Sequence, residues 1–367
     1  MGLAIGIVGL PNVGKSTLFN ALTSTQAAES ANYPFCTIEP NKGIVSVPDE
    51  RIYKLAKIAT SAQIIPTQLE FVDIAGLVRG ASKGEGLGNQ FLSHIREVDA
   101  IAHVLRCFDD EDITHVEGAT DPLRDAEIIE TELVLADLES VEKRIPNLEK
   151  KAKGGADKES AATLELLKLV KPVLFEGKAA RTLQVDDDKK EAFRHLQLIT
   201  AKPMMYVCNV KEGDAKSGNK YTEAVAAMAK KEGATHVVIS AQIEAEIAQL
   251  ATQEEKTEFL KDLGLSETGL SKLIHSGYQL LNLITYFTVG PKEARAWTVR
   301  RATKAPGAAG VIHTDFEKGF IRAETIAYSD YVELGGENGA KDKGKLRLEG
   351  KDYIVADGDV MHFRFNV

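Results

Sequence analysis

The run Gly9-Leu10-Pro11-Asn12-Val13-Gly14-Lys15-Ser16-Thr17 fits the phosphate-loop pattern G-x-x-x-x-G-K-[ST]. In that pattern the backbone N–H groups of Asn12, Val13, Gly14, Lys15, Ser16 and Thr17 wrap a polyphosphate, helped by the positive end of the helix that follows. Lys15 neutralises charge on the β- and γ-phosphates, and the Ser16 hydroxyl ligates Mg2+. A second motif, Asp73-Ile74-Ala75-Gly76, closes an apolar run. In switch hydrolases such an Asp reaches the Mg2+ and the Gly N–H touches the γ-phosphate. Between the two motifs, Thr37 sits in a loop bracketed by Pro34 and Pro40 and is expected to complete the metal shell. Together these residues point to Mg2+-dependent hydrolysis of a nucleoside triphosphate, with Lys15, Asp73 and Gly76 in the catalytic set.

The residue after the second motif is Leu77, where many such hydrolases carry a water-orienting Gln. Leu has no hydrogen-bonding group, so another residue or a partner must align the attacking water. His115, in a polar loop following an apolar strand, is the first candidate, and His94 the second. Glycines at 80, 84, 86 and 88 give the intervening segment backbone freedom, and slow intrinsic turnover is expected. For the base, guanine-reading enzymes use N-K-x-D, whereas this chain has Asn209-Val210-Lys211-Glu212. The longer Glu212 cannot reproduce the bidentate contact that Asp makes to guanine. The Asn209 amide with the Val210 backbone is expected to read adenine while Phe108 packs on the ring, the alternative being a permissive site. ATP is expected to bind more tightly than GTP by at least about tenfold, or ~1.4 kcal/mol.

The elements that must position these residues follow from periodicity. Apolar residues 3–8, 43–47, 68–73 and 100–107 alternate with helical patterns, including 49–59 with Asp49 as its cap. Such alternation implies a P-loop α/β domain with a mostly parallel sheet. From 125 to 200 the apolar spacing becomes helical, broken by a Lys/Gly/Asp-rich turn at 150–158, and this reads as an inserted antiparallel helical hairpin. Sheet-like sequence returns at 203–208 and 236–239, and short strands with Gly-rich turns run from 283 onward. The expected domains are therefore 1–124 with 201–282, the arm 125–200, and a C-terminal module 283–367. Lys292, Arg295, Arg300, Arg301 and Lys304 surround Trp297, a composition suited to RNA or to a solvated strand edge.

Composition narrows the setting. A net charge of −9 argues against general coating of nucleic acid. No apolar run of membrane-spanning length and no secretory leader are read, so a cytoplasmic protein without a membrane partner is expected. Cys36, Cys107 and Cys208 have neither metal-like nor disulfide-like spacing, and small apolar filler is favoured over redox control.

Arg79 to Leu92, Asn41 and the segment Phe108 to Val116 resemble the Obg-like group, and within it the YchF branch. The helical insert is similar to that branch's coiled-coil arm, and the region from Leu283 to its TGS domain, a β-grasp module. The resemblance spans essentially the whole chain. It implies an ATPase of the translation-factor class that associates with ribosomes, expected at the large subunit. The alternatives are a GTP-binding translation factor, or a nucleotide-gated ribosome- or RNA-binding protein whose hydrolysis is incidental.

Overall fold

Short apolar segments that are buried on both faces need helices on both sides, and the first sheet has that character. In the computed structural model, which describes residues 3–30, 41–74, 87–110, 115–116, 118–153 and 158–366, the strands are β1 (Ala4–Val8), β2 (Lys42–Ser46), β4 (Gln68–Asp73), β5 (Ala100–Arg106), β6 (Met204–Asn209) and β7 (Thr235–Ile239). Their spatial order is β2-β4-β1-β5-β6-β7. The pairs β1–β4, β1–β5, β5–β6 and β6–β7 are parallel. Every residue of β1, β5 and β6 is buried. Around them lie α1 (Lys15–Ser30), α3 (Leu87–Glu97), α7 (Lys220–Glu232) and α8 (Ala241–Ile247). The phosphate-loop, Asp73, Phe108 and Asn209 segments all leave the carboxyl ends of neighbouring strands, where open α/β sheets gather ligands.

The inserted hairpin consists of α4 (Pro122–Lys153) and α5 (Lys158–Phe175). Glu142 pairs with Lys171 at 3.0 Å and Glu149 with Lys168 at 2.7 Å, so the helices run antiparallel. Val134, Val141, Leu166, Leu167, Val170 and Leu174 form their apolar seam. At the arm's base the buried Asp137 carboxylate accepts from the Ile199 and Thr200 N–H groups, which follow the short helix α6 (Lys190–His195), at 2.9 and 2.7 Å.

The domain boundaries need one correction. The chain divides into residues 1–44 with 70–277, and residues 45–69 with 278–367. The stretch 45–69, expected within the nucleotide domain, belongs to the C-terminal unit. Its helix α2 (Glu50–Ala59) is capped by the Asp49 side chain, as expected. The apolar face of α2 puts Ile52, Leu55 and Ala56 in one cluster with Phe287, Ala294, Ala296, Ile326, Tyr331 and Val360. The strand β3 (Gln63–Ile65) runs parallel to β9 (Glu293–Arg300). Periodicity shows that α2 has an apolar face but not which sheet covers it.

With β8 (Leu283–Val289), β10 (Phe320–Ala327), β11 (Arg347–Glu349) and β12 (Asp359–Phe365), these strands form a second sheet in the order β11-β10-β12-β8-β9-β3. Along β8 the side chains alternate. Ile284 and Tyr286 join a cluster with Ala305 and Phe363, and Phe287 joins the α2 cluster. Among the described residues no helix is long and apolar enough to cross a membrane.

Candidate functional site

Between β1 and α1 the backbone makes a tight loop that only certain residues allow. Asn12 and Gly14 take left-handed angles, with φ of 62° and 96°. A Cβ at Gly14 would collide with the Asn209 amide, so this glycine is demanded by contact as well as by φ. Val13 is buried, while Asn12, Ser16 and Thr17 are exposed. Lys15 is buried, and its Nζ donates to the Leu10 carbonyl at 2.7 Å. Burial pushes its ammonium down to about 8, opposed in part by the Asp73 carboxylate. Burial likewise raises the Asp73 carboxyl, with Lys15 pulling the other way. Each charge thus offsets part of the other's burial cost, and in such a partly dry setting charges act more strongly than in water. The Ser16 hydroxyl and the Asp73 carboxylate are hard oxygen donors of the type Mg2+ selects. Thr37, Gly76 and Leu77 lie outside the described residues.

On the base side two expected readers carry bonds within the protein. The Asn209 amide donates from Nδ2 to the Val13 carbonyl at 2.9 Å, and its Oδ1 accepts from the Ala241 N–H at 2.9 Å. It thus ties β6 to the phosphate loop and to the start of α8 through one amide N–H and the amide oxygen. The Val210 N–H donates to the Ile239 carbonyl at 2.9 Å. Glu212 is exposed and opens a short 3-10 turn. Phe108 is half-buried, with the Arg106 guanidinium 4.8 Å from its ring centroid.

His115 is buried, and its Nε2 lies 2.8 Å from Asp125 Oδ2, a carboxylate in the first turn of α4. Arg124 forks onto the other oxygen of the same carboxylate at 3.0 and 3.3 Å. A carboxylate only accepts, so the bond assigns the proton to Nε2. His94 is half-buried on α3. Cys107 and Cys208 are buried and free, and a hydrogen bond from the Cys107 thiol to Cys208, together with burial, raises the Cys107 thiol, which suits apolar filler; Cys36 lies outside the described residues. In the C-terminal unit Trp297 carries the Arg295 guanidinium 4.1 Å from its centroid and donates Nε1 to the Thr288 hydroxyl at 2.9 Å. One face of that indole is therefore covered within its own domain.

Three contributors escaped the sequence reading: Arg106, Asp125 and Asn219. Asn219 caps α7 in a capping box with Thr222 and donates to the Cys107 carbonyl at 2.8 Å. Its signal was present in the N-x-x-T spacing before a helical run. An Arg closing an apolar strand was also visible at 106. Asp125 has no local signal, since its partner is His115 across a turn.

Family models match in two places: residues 4–139 fit one described as 50S ribosome-binding GTPase, and residues 283–366 fit YchF-GTPase_C, described as a protein of unknown function. The Haemophilus influenzae protein named ribosome-binding ATPase YchF is 59% identical over 367 residues, the full length of both chains. The Bacillus subtilis protein of the same name is 54% identical, again over all of both. The solved structure titled Schizosaccharomyces pombe YchF GTPase superposes with a TM-score of 0.88 at 42% identity, covering 99% of this chain and 98% of that one. With identity of this order over the whole length of its relatives, the chain belongs to the YchF family.

Proposed function

We propose that this protein is a Mg2+-dependent ATPase of the cytoplasm, slow on its own, whose nucleotide state governs association with the ribosome. The observation that carries the hydrolase reading is the loop geometry: Asn12 and Gly14 at left-handed angles and the buried Lys15 opening α1, with Asp73 at the carboxyl end of the adjacent β4. When bound, Mg2+ would supply charge neutralisation at the phosphates, and Ser16 and Thr37 would hold it, with the Asp73 carboxylate as a further oxygen donor. Lys15 holds the β- and γ-phosphates, and the loop N–H groups fix their orientation. Relatives called ribosome-binding ATPases support the ribosome as partner. We place the contact on the large subunit, with the C-terminal basic stretch touching RNA.

The base is where the names divide, since the yeast structure is titled a GTPase. ATP preference rests on Glu212, exposed where guanine readers hold an Asp, and on Phe108 as a stacking face for adenine. Without that Asp, guanine N1–H and its amino group lose their shared acceptor. Titration of both nucleotides with Mg2+ present should give at least roughly tenfold tighter binding of ATP. Equal or GTP-favouring affinity overturns the base assignment. Lys15→Ala should abolish turnover, and near-normal turnover would remove the hydrolase reading itself.

A second reading is favoured by the His115–Asp125 bond, which ties the loop after β5 to α4 as a structural latch would. In it the protein is a nucleotide-gated ribosome binder with incidental hydrolysis. Turnover measured with and without ribosomes separates the two: strong stimulation supports the first reading, indifference the second.

A further inference from the structure

Arg106 is among the largest fully buried side chains of the described residues, at 2% exposure. It closes β5, otherwise Ala-Ile-Ala-His-Val-Leu, just before the turn that carries Phe108. A guanidinium is expensive to bury unless its donors are answered. Here Nε donates to the Phe108 carbonyl at 3.1 Å and an Nη to the Asp110 carbonyl at 2.9 Å, while the cation lies 4.8 Å from the Phe108 ring centroid. One planar group therefore grips the turn at two carbonyls and packs on its aromatic side chain.

The same turn is held from other elements. The Thr120 hydroxyl donates to the Phe108 carbonyl at 3.2 Å, the Asn219 amide to the Cys107 carbonyl, and the Tyr221 hydroxyl to the Asp109 carboxylate at 2.9 Å. The Cys107 N–H donates to the Asn209 carbonyl at 2.8 Å, so the Phe108 turn is registered to the strand end that braces the phosphate loop. Phosphate loop, Asn209 and Phe108 form one connected frame.

We propose that Arg106 is the positioning residue of the base face: it fixes the Phe108 ring relative to the phosphate loop, so that a bound purine meets a preset stacking surface. The proposal rests on the reading of Phe108 as the adenine platform. A buried Arg retained merely as a charge could be replaced by Lys. Grip on two carbonyls together with packing on a ring cannot, because an ammonium lacks the planar fork.

The test uses the full-length protein, with Mg2+, and two ligands: ATP and inorganic tripolyphosphate, which has no base. Phe108→Ala should weaken ATP by roughly tenfold and leave tripolyphosphate within about twofold, as expected for loss of a stacking face. Arg106→Lys should give the same pattern, and adding it to Phe108→Ala should bring little further loss. Arg106→Gln, with a planar amide head, is the second variant if Arg106→Lys does not accumulate. An unchanged ratio of ATP to tripolyphosphate affinity in the Arg106 variants, or equal weakening of both ligands, overturns the positioning role. If Phe108→Ala itself leaves the ratio unchanged, the platform reading fails, and that outcome is distinct from failure at Arg106 alone.

Discussion

His115 is the residue at which structural and catalytic roles are hardest to separate. Its bond to the buried Asp125 fixes ring orientation, as a carboxylate does for many catalytic imidazoles, and also latches a loop to α4. If His115 aligns the attacking water, His115→Ala should slow turnover by about 10²-fold or more at unchanged ATP affinity. Asp125→Asn should then lower turnover as well, with nucleotide affinity preserved. Wild-type rates in His115→Ala protein would move the role to His94 or to a partner. His103 makes a separate prediction about pH. It is fully buried on β5 with no hydrogen-bond partner at Nε2 among the described residues, and burial, with Lys15 and Arg181 adding repulsion, pushes it down to about 3. The unfolded chain takes up this proton near pH 6.5 while the folded chain refuses it, so stability falls as pH drops from about 6.5 toward about 3. Denaturant midpoints at about pH 7 and about pH 5 should differ less in His103→Leu than in wild type. An identical acid slope would show that other groups carry it.

At the scale of elements, whatever local spacing dictates could be read and whatever distant pairing dictates could not. The phosphate loop, the Asp49 cap of α2 and the apolar strands are all local signals, and the described residues place them as expected. The work of Asn209 was hidden because its partners, Val13 and Ala241, lie on other elements at long sequence separation. A motif position named for base reading therefore serves as a brace between β6, the phosphate loop and α8. Asn209→Ala leaves the Val13 carbonyl and the Ala241 N–H without this partner, and unanswered buried groups cost about 1–3 kcal/mol each. ATP, GTP and tripolyphosphate should all weaken, by roughly tenfold or more, with the ATP-to-GTP ratio unchanged. A collapse of that ratio in calorimetric titrations would restore Asn209 as a direct reader of adenine.

For the whole molecule, the excursion 45–69 changes what a modular cut means. Sequence spacing suggests that ending the chain near Thr285 spares nucleotide binding, because the phosphate and base motifs lie upstream. That cut instead strips Ile52, Leu55 and Ala56 of Phe287, Ala294, Ile326 and Val360, exposing an apolar helix face in the middle of the remaining chain. Burial of Ile52 and of Leu55 is worth about 1.5–3 kcal/mol each, so the truncated protein should aggregate or melt early. The register of β2 on β4 offers a cleaner division. The Asp73 N–H donates to the Asn41 carbonyl and the Val47 N–H to the Thr67 carbonyl, both at 2.9 Å, an antiparallel register that sets Ile44 opposite Glu70. Joining those two positions through a short glycine-rich loop closes a hairpin while removing 45–69 and 278–367 together. This excised chain should stay monomeric, melt cooperatively and bind ATP with Mg2+ within a few-fold of the intact protein, whereas the simple truncation should not. If the excised chain folds by circular dichroism yet fails to bind ATP, the nucleotide site depends on the C-terminal unit, and the division into two units is structural without being functional.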